Sequence, residues 1–236
     1  MADRFYVNQP LGVGQVRLEG ADAHHLAAVC RYRAGDQVYL FNGDGSQYLA
    51  GVKNVQRHSV DVEVLSCDSP VRELAHRLEV AAPVPKGDRA HFLFEKLTEL
   101  GATTFVPLRT ERSVVHPGQG KLDKLERYVI EASKQCGRNV LLRVEQPADW
   151  EDYCRRPRSA LARVVAHPGG TMIPLSPRGD VVVAVGPEGG FTEEEIELAR
   201  LAGWEVVDLG PRMLRIETAA ILLATWAVGE WPMNSQ

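Results

Sequence analysis

Between Val181 and Val228 the chain reads VVVAVGPEGGFTEEEIELARLAGWEVVDLGPRMLRIETAAILLATWAV, and no other stretch limits the fold as strongly. Val181 to Val185 form a short, continuous apolar run, the pattern of a strand buried on both faces of a sheet. A glycine turn, Gly186-Pro187-Glu188-Gly189-Gly190, leads into a helix. A second strand, Glu205 to Leu209, a second turn, Leu209-Gly210-Pro211-Arg212, and a closing apolar helix follow. Both turns then lie at the carboxyl ends of strands, where open α/β sheets place ligands. We expect them to form one pocket.

The residues restrict what that pocket holds. Neither GxGxxG nor GxxxxGK[ST] is present, so the first turn lacks the spacing of a dinucleotide or phosphate loop. Thr192 and Glu195 fit a capping box, which already satisfies the first amides of the helix. Glu193, Glu194 and Glu195 crowd the helix end that a bound phosphate would need, and anion against anion cancels the benefit of the helix dipole. A neutral or cationic ligand suits the place better. The glycines are equally accounted for by a tight turn with positive backbone angles, and at this level both readings stand.

The pair GPEGGFTEEE and LGPRMLRIETAA resembles the C-terminal signature of the SPOUT class of RNA methyltransferases, specifically the family that methylates N3 of a uridine in 16S ribosomal RNA. HHLAAVCRYRAGD resembles that family's N-terminal PUA-like domain. KGDRAHFLFEKLTELGATTFVPLRTERS, with Lys86, Lys96 and Glu99 at matching positions, and EASKQCGRN extend the likeness. The resemblance implies an α/β, SPOUT-type parallel sheet with a C-terminal trefoil knot, preceded by a small PUA-like β-barrel. It implies S-adenosylmethionine held by backbone groups of three loops, with His167, Pro168 and Gly169 in the first. Gly186, Pro187, Glu188, Gly189 and Gly190 form the second, and Leu209, Gly210, Arg212, Met213 and Leu214 the third. Homodimerisation is implied too. The family's second motif runs close to LGxRILRxETA, so Met213 and Ile216 are apolar departures that alter pocket shape. Physical rules alone predict an unknotted doubly wound sheet.

Along the chain, residues 1–70 read as a β-rich domain. Strands are expected at Arg4 to Val7, Gln15 to Leu18, Gln37 to Phe41, Ser46 to Val55 and Val60 to Leu65, with a helical insert from Asp22 to Arg31. The spacing suggests a barrel. Residues 71–236 form the second domain. A strand at Arg77 to Ala82, a helix from Asp88 to Leu100 stopped by Gly101, and a strand at Thr103 to Leu108 make a right-handed crossover to a parallel sheet. The helix is expected to bury His91, Phe92, Phe94, Glu95 and Leu97 to Leu100 on one face. A helix from Leu122 to Gln135, a strand at Leu141 to Val144, a helix at Ala148 to Arg155 and a strand at Ala160 to Ala166 come next. His167-Pro168-Gly169-Gly170 should be a loop at the end of that last strand. Thr218 is expected to cap the final helix, with Glu217 orienting the site or pairing with Arg215.

The net charge of −4 argues against wholesale nucleic-acid binding. Its distribution matters more: Arg109 to Arg143 holds eight Lys or Arg against four Asp or Glu, and Gly186 to Gln236 holds three against nine. A local basic stripe is compatible with an RNA face, or with a solvated helix face. Arg31, Arg33, Lys86, Arg109, Arg112 and Arg138 are the candidates for RNA contact, and His24 and His25 read as capping or core residues, with RNA contact the alternative. Lys96 and Glu99, at i and i+3, should pair with each other. Methylating uracil N3 develops negative charge on N3, O2 and O4, and an arginine fork suits that charge; Arg138, on a loop after a helix stop, and Arg212 are the expected catalytic groups.

Cys30, Cys67, Cys136 and Cys154 lack metal-ligand or disulfide spacing and read as free thiols, so no metal is expected. No apolar run or leader indicates a membrane span or export, which points to a cytoplasmic protein acting on small-subunit ribosomal RNA or the assembled 30S subunit. Two alternatives remain: a non-catalytic RNA-binding or assembly protein of the same fold, and a SPOUT methyltransferase acting on another nucleotide. A nicotinamide or flavin oxidoreductase is disfavoured by the turn spacing and the acidic helix start.

Overall fold

A computed structural model describes residues 3–24, 26, 32–56, 58–114, 118–157, 162–173 and 179–229. The chain divides into two compact units. One comprises Met1–Glu73 with Ser133–Leu141, the other Leu74–Ala132 with Leu142–Gln236.

The first unit is built on a five-stranded sheet of β1 (Arg4–Tyr6), β2 (Gly14–Glu19), β3 (Gln37–Phe41), β4 (Gln47–Val55) and β5 (Ser59–Asp68), in the order β1-β3-β4-β5-β2. Val38, Leu40, Ala50, Val52, Val60, Val62 and Val64 fill one core because alternate strand residues share a face. The expected strand positions are all occupied by strands. Of the expected helical insert, α1 (Gly20–His24) is described, with His24 exposed at its end. His25, Cys30 and Arg31 lie outside the described residues.

The second unit carries the parallel sheet. Its strands are β6 (Leu78–Ala82), β7 (Thr104–Arg109), β8 (Arg143–Val144), β9 (Ala148–Asp149), β10 (Ala162–Met172), β11 (Val181–Val185) and β12 (Glu205–Asp208), ordered β12-β10-β11-β6-β7-β8 with β9 beside β7. All these pairings are parallel. The run VVVAV is buried at every position. Val182 and Ala184 pack with Ile196, Ala199, Trp150 and Trp204, residues of α5 (Glu193–Leu201), of α4 (Trp150–Arg155) and of the turn before β12. Val181, Val183 and Val185 alternate to the opposite face, where α6 (Ile216–Val228) packs on β11 and β6 and against α2 (Asp88–Glu99). Helices on both faces make the doubly wound layering that such a strand pattern demands.

Three local expectations need correction. Phe92 on α2 is 48% exposed and Glu95 only half-buried; the buried face is Ala90, Leu93, Phe94, Leu97 and Thr98. The His167-Pro168-Gly169-Gly170 run does not end a strand but is a bulge inside β10: Val207 pairs with Ala166 before it and with Thr171 after it. Gly170 must pass so close to β12 that an added Cβ would lie 2.6 Å from the Val207 carbonyl carbon. Finally, α6 is capped at Arg215, which places Thr218 in the first turn, exposed, and not at the cap. The helix α3 (Gln119–Cys136) follows the expected apolar spacing, burying Leu122, Leu125, Val129 and Ala132. Among the described residues, no helix is long and apolar enough to cross a membrane.

Candidate functional site

The aromatic residues of the second unit set the position of the first turn. Trp150 sits 4.5 Å from Phe191 between ring centroids and 5.6 Å from Trp204, and its indole N–H donates to the Glu195 carbonyl at 2.9 Å. Phe191 is thereby fixed at the far end of Gly186–Gly190, and its ring lies 2.9 Å from where a Cβ on Gly186 would stand. Only glycine permits that approach. The next residues close the capping box: Thr192 Oγ1 accepts from the Glu195 amide at 3.2 Å, and Glu195 Oε2 accepts from the Thr192 amide at 2.9 Å. The second carboxylate oxygen of Glu195 accepts from the Glu111 amide at 2.9 Å. Arg112 donates to the Gly189 carbonyl at 2.8 Å, so the segment after β7 braces the turn from outside.

The bulge in β10 and the segment after β12 are joined by one side chain. Asp208 accepts from the Gly169 amide at 3.0 Å and the Gly210 amide at 2.8 Å. These two donors, Gly169 first, hold its carboxyl below the usual carboxylate range, helped by nearby His167. Sequence reasoning passed over Asp208; the available signal was an aspartate two residues before a glycine at a strand end, a local turn former.

The turn, the bulge and the segment after β12 surround one cavity of about 300 Å³. Every residue expected in the three loops lines it except Gly169, which contributes through Asp208. Val185, Phe191, Leu214, Ile216 and Ala219 supply apolar wall, and Glu188, Glu193 and Asp208 supply anionic groups against Arg112 and Arg212. His167 Nε2 stands 3.8 Å from Glu193 Oε1, and its buried Nδ1 has no hydrogen-bond partner among the described residues. A flat apolar body bearing a positive charge suits this inventory. Among the described residues, no group of His, Cys, Asp and Glu is arranged to hold a metal.

A family model described as an RNA methyltransferase domain matches residues 72–228. The chain belongs to the RNA methyltransferase family. A second model, an RNA methyltransferase PUA domain, matches residues 18–65. This RNA methyltransferase is 32% identical over 212 residues to the Ribosomal RNA small subunit methyltransferase E of Synechocystis sp., an overlap of 86% of this chain and 69% of that protein. It is 30% identical over 219 residues to the Bacillus subtilis protein of the same name, with 86% of each covered. The crystal structure of a Ribosomal RNA small subunit methyltransferase E from Neisseria gonorrhoeae bound to S-adenosyl methionine is similar at a TM-score of 0.87 and 31% identity, over 95% of both chains.

The other expected site residues of this RNA methyltransferase fall in different places. Arg212 and Met213 are exposed at the cavity. Arg109 forms a two-pronged pair with Asp149 at 2.9 and 3.0 Å, and Lys96 pairs with Glu99 at 2.9 Å as its spacing requires. Lys86 is exposed in the second unit and Arg33 in the first. Arg138 does not reach outward. It is buried at 4% exposure in the first unit, with Nε and Nη2 both donating to the Glu73 carboxylate. A loop after a helix stop is an outward position only if no acid is folded over it, and Glu73 is. Glu217 is likewise buried, and its ion contact is Arg89, at 3.9 Å, in place of the Arg215 that was one of its two expected roles. Arg89 also meets Glu188 at 3.3 Å and was not singled out in the sequence, because a helix-start arginine carries no motif of its own.

Proposed function

We propose that this RNA methyltransferase transfers a methyl group from S-adenosylmethionine to N3 of a uridine in small-subunit ribosomal RNA. The observation that carries the reading is the meeting of the β10 bulge, the Gly186–Gly190 turn and the 209–214 segment around one cavity, in a chain of this family. The donor, when bound, supplies an activated methyl on a positively charged sulfur. The cavity fits it: apolar walls for the adenine, glycine backbone where a side chain would intrude, and three carboxylates for the positive charge. Those carboxylates also explain why a phosphate-bearing cofactor is the poorer fit.

The protein's contribution is to hold donor and acceptor in line and out of water. Arg212 is read as a cation at the mouth, facing the acceptor, and Arg112 as a brace for the turn that also presents charge there. Arg33, Lys86 and Arg109 are read as backbone contacts for RNA. The enzyme's place of action is the cytoplasm, where assembled small subunits are found, and its acceptor is the RNA or the 30S subunit itself. A homodimer is supported by Thr218, Leu222 and Thr225, which α6 leaves exposed. A trefoil knot is supported by the order β12-β10-β11, since the chain leaving β11 crosses β10 before α6 returns to β11 and β6.

The test is methyl incorporation from labelled donor into undermethylated small subunits and into naked RNA, followed by nucleoside analysis. N3-methyluridine is the expected product. A different methylated nucleoside would overturn the acceptor, and RNA retention without methyl transfer would overturn the enzyme.

A further inference from the structure

We propose that a second cavity, walled by Pro83, Val84, Lys86, Arg89, Pro187 and Glu188, receives the acceptor uracil, and that Arg89 is the cation facing the charge that develops on it. This assignment rests on the function proposed above. The cavity measures about 220 Å³ and shares Pro187, Glu188 and Ile216 with the donor cavity. The two cavities therefore adjoin along Pro187 and Glu188 of the turn and Ile216 at the start of α6, so that a base at the border of one meets the methyl group of a donor at the border of the other.

Arg89 lies in the first turn of α2, between two carboxylates. Its Nη1 is 3.3 Å from Glu188 Oε1 and 3.9 Å from Glu217 Oε2. Glu217 is 5% exposed, and its Oε2 is buried without a hydrogen bond among the described residues. A buried carboxylate oxygen in that condition is costly and calls for an explanation. Among the described residues its cation is Arg89, which makes Glu217 the positioning residue that holds the guanidinium at the cavity wall. Lys86 adds a second positive group to the same wall. Lys121 on α3 is close enough to Lys86 that its ammonium is pushed below the usual lysine range, by burial first and then by Lys86. The groups facing the cavity are thus the cations Lys86 and Arg89, backed by Lys121, with Glu188 and Glu217 holding Arg89.

Two cations on a wall that also carries Glu188 favour the anionic form of an imide where they face its ring oxygens. The N3 proton passes to solvent base before the uracil is enclosed, and the ring keeps the electron pair, spread over N3, O2 and O4. That pair forms the N3–C bond as the C–S bond of the donor breaks, its electrons leaving with sulfur as a neutral thioether. Arg89 lowers the cost of the first stage by facing the ring oxygens.

The experiment is single-turnover methylation of undermethylated small subunits by the full-length enzyme and by Arg89→Ala, Arg89→Lys and Glu217→Gln, each also titrated with S-adenosylmethionine by calorimetry. Arg89→Ala should slow methyl transfer on the order of 100-fold while donor affinity changes far less than the rate. Its rate should go on rising at pH values where the wild type has levelled off, because the uracil proton is held more tightly without the cation. Arg89→Lys should recover part of the rate, and Glu217→Gln should fall between. Wild-type rates in Arg89→Ala, parallel loss of rate and donor affinity, or a slow variant with an unmoved pH profile would each overturn the assignment. A wild-type enzyme that makes no N3-methyluridine overturns the proposed function and this assignment with it. That result differs visibly from an active wild type with an undiminished variant.

Discussion

Asp208 ties two of the three site loops with one side chain, and the tie has a definite pH sense. Its carboxyl is lowered by the Gly169 and Gly210 amides, so the bonds are complete above the ordinary carboxylate range and are lost only as pH falls through the lowered value. Donor affinity, followed by calorimetry, should stay level from neutral pH through the range where a free aspartate titrates, and decline below it. Asp208→Asn can accept through only one oxygen and should weaken donor binding several-fold with little change in global stability. At Gly170 the limit is space: alanine would place a carbon against the β12 backbone, so Gly170→Ala should cost about 1–3 kcal/mol in denaturant unfolding. Arg138 calls for a stability measurement first. Removing it strands Glu73 beside a buried gap, and Arg138→Ala should cost about 3 kcal/mol while the donor titrates normally. Loss of donor affinity without loss of stability would count against a structural role.

The elements were legible wherever their signal was local. Alternation placed the strands of the first unit, the continuous run VVVAV placed β11, and Thr192 with Glu195 located the start of α5 through a capping box that the structure contains in both its bonds. Thr192→Ala should lower stability by about 1 kcal/mol, read by thermal or denaturant unfolding, and should loosen the Gly186–Gly190 turn enough to weaken donor binding. What was not legible depended on distant partners. The pairing of Thr171 with Val207 turns a proline-glycine run, which reads as a loop ending a strand, into a bulge inside a longer strand. Glu73 over Arg138 and Arg89 against Glu217 join positions 65 and more than 100 residues apart in the chain, and no periodicity encodes such pairs. The three-loop pocket was within reach because two of its members stand at strand ends, a place set by topology, and the bulge in β10 opens level with them, where Ala166 pairs with Val185 at the end of β11.

At the scale of the whole molecule, the discontinuity of the first unit matters most. Its sheet comes entirely from the first 68 residues, yet Ser133–Leu141 belong to it. Asn139 accepts from Arg4 and donates to the Gly45 carbonyl, the Gly137 carbonyl accepts from Arg72 at 2.6 Å, and Arg138 closes on Glu73. A fragment ending at residue 73 should therefore unfold at a lower temperature than the same unit within the full chain, and adding a peptide spanning residues 133–141 should recover part of the difference. Equal melting of fragment and full-chain unit would show that the returning segment is a passenger. For a nascent chain the arrangement implies a delay. Translation must pass Leu141 before the first unit has all its parts, so its sheet waits in the open, one piece short, while the opening strands of its neighbour are already being made.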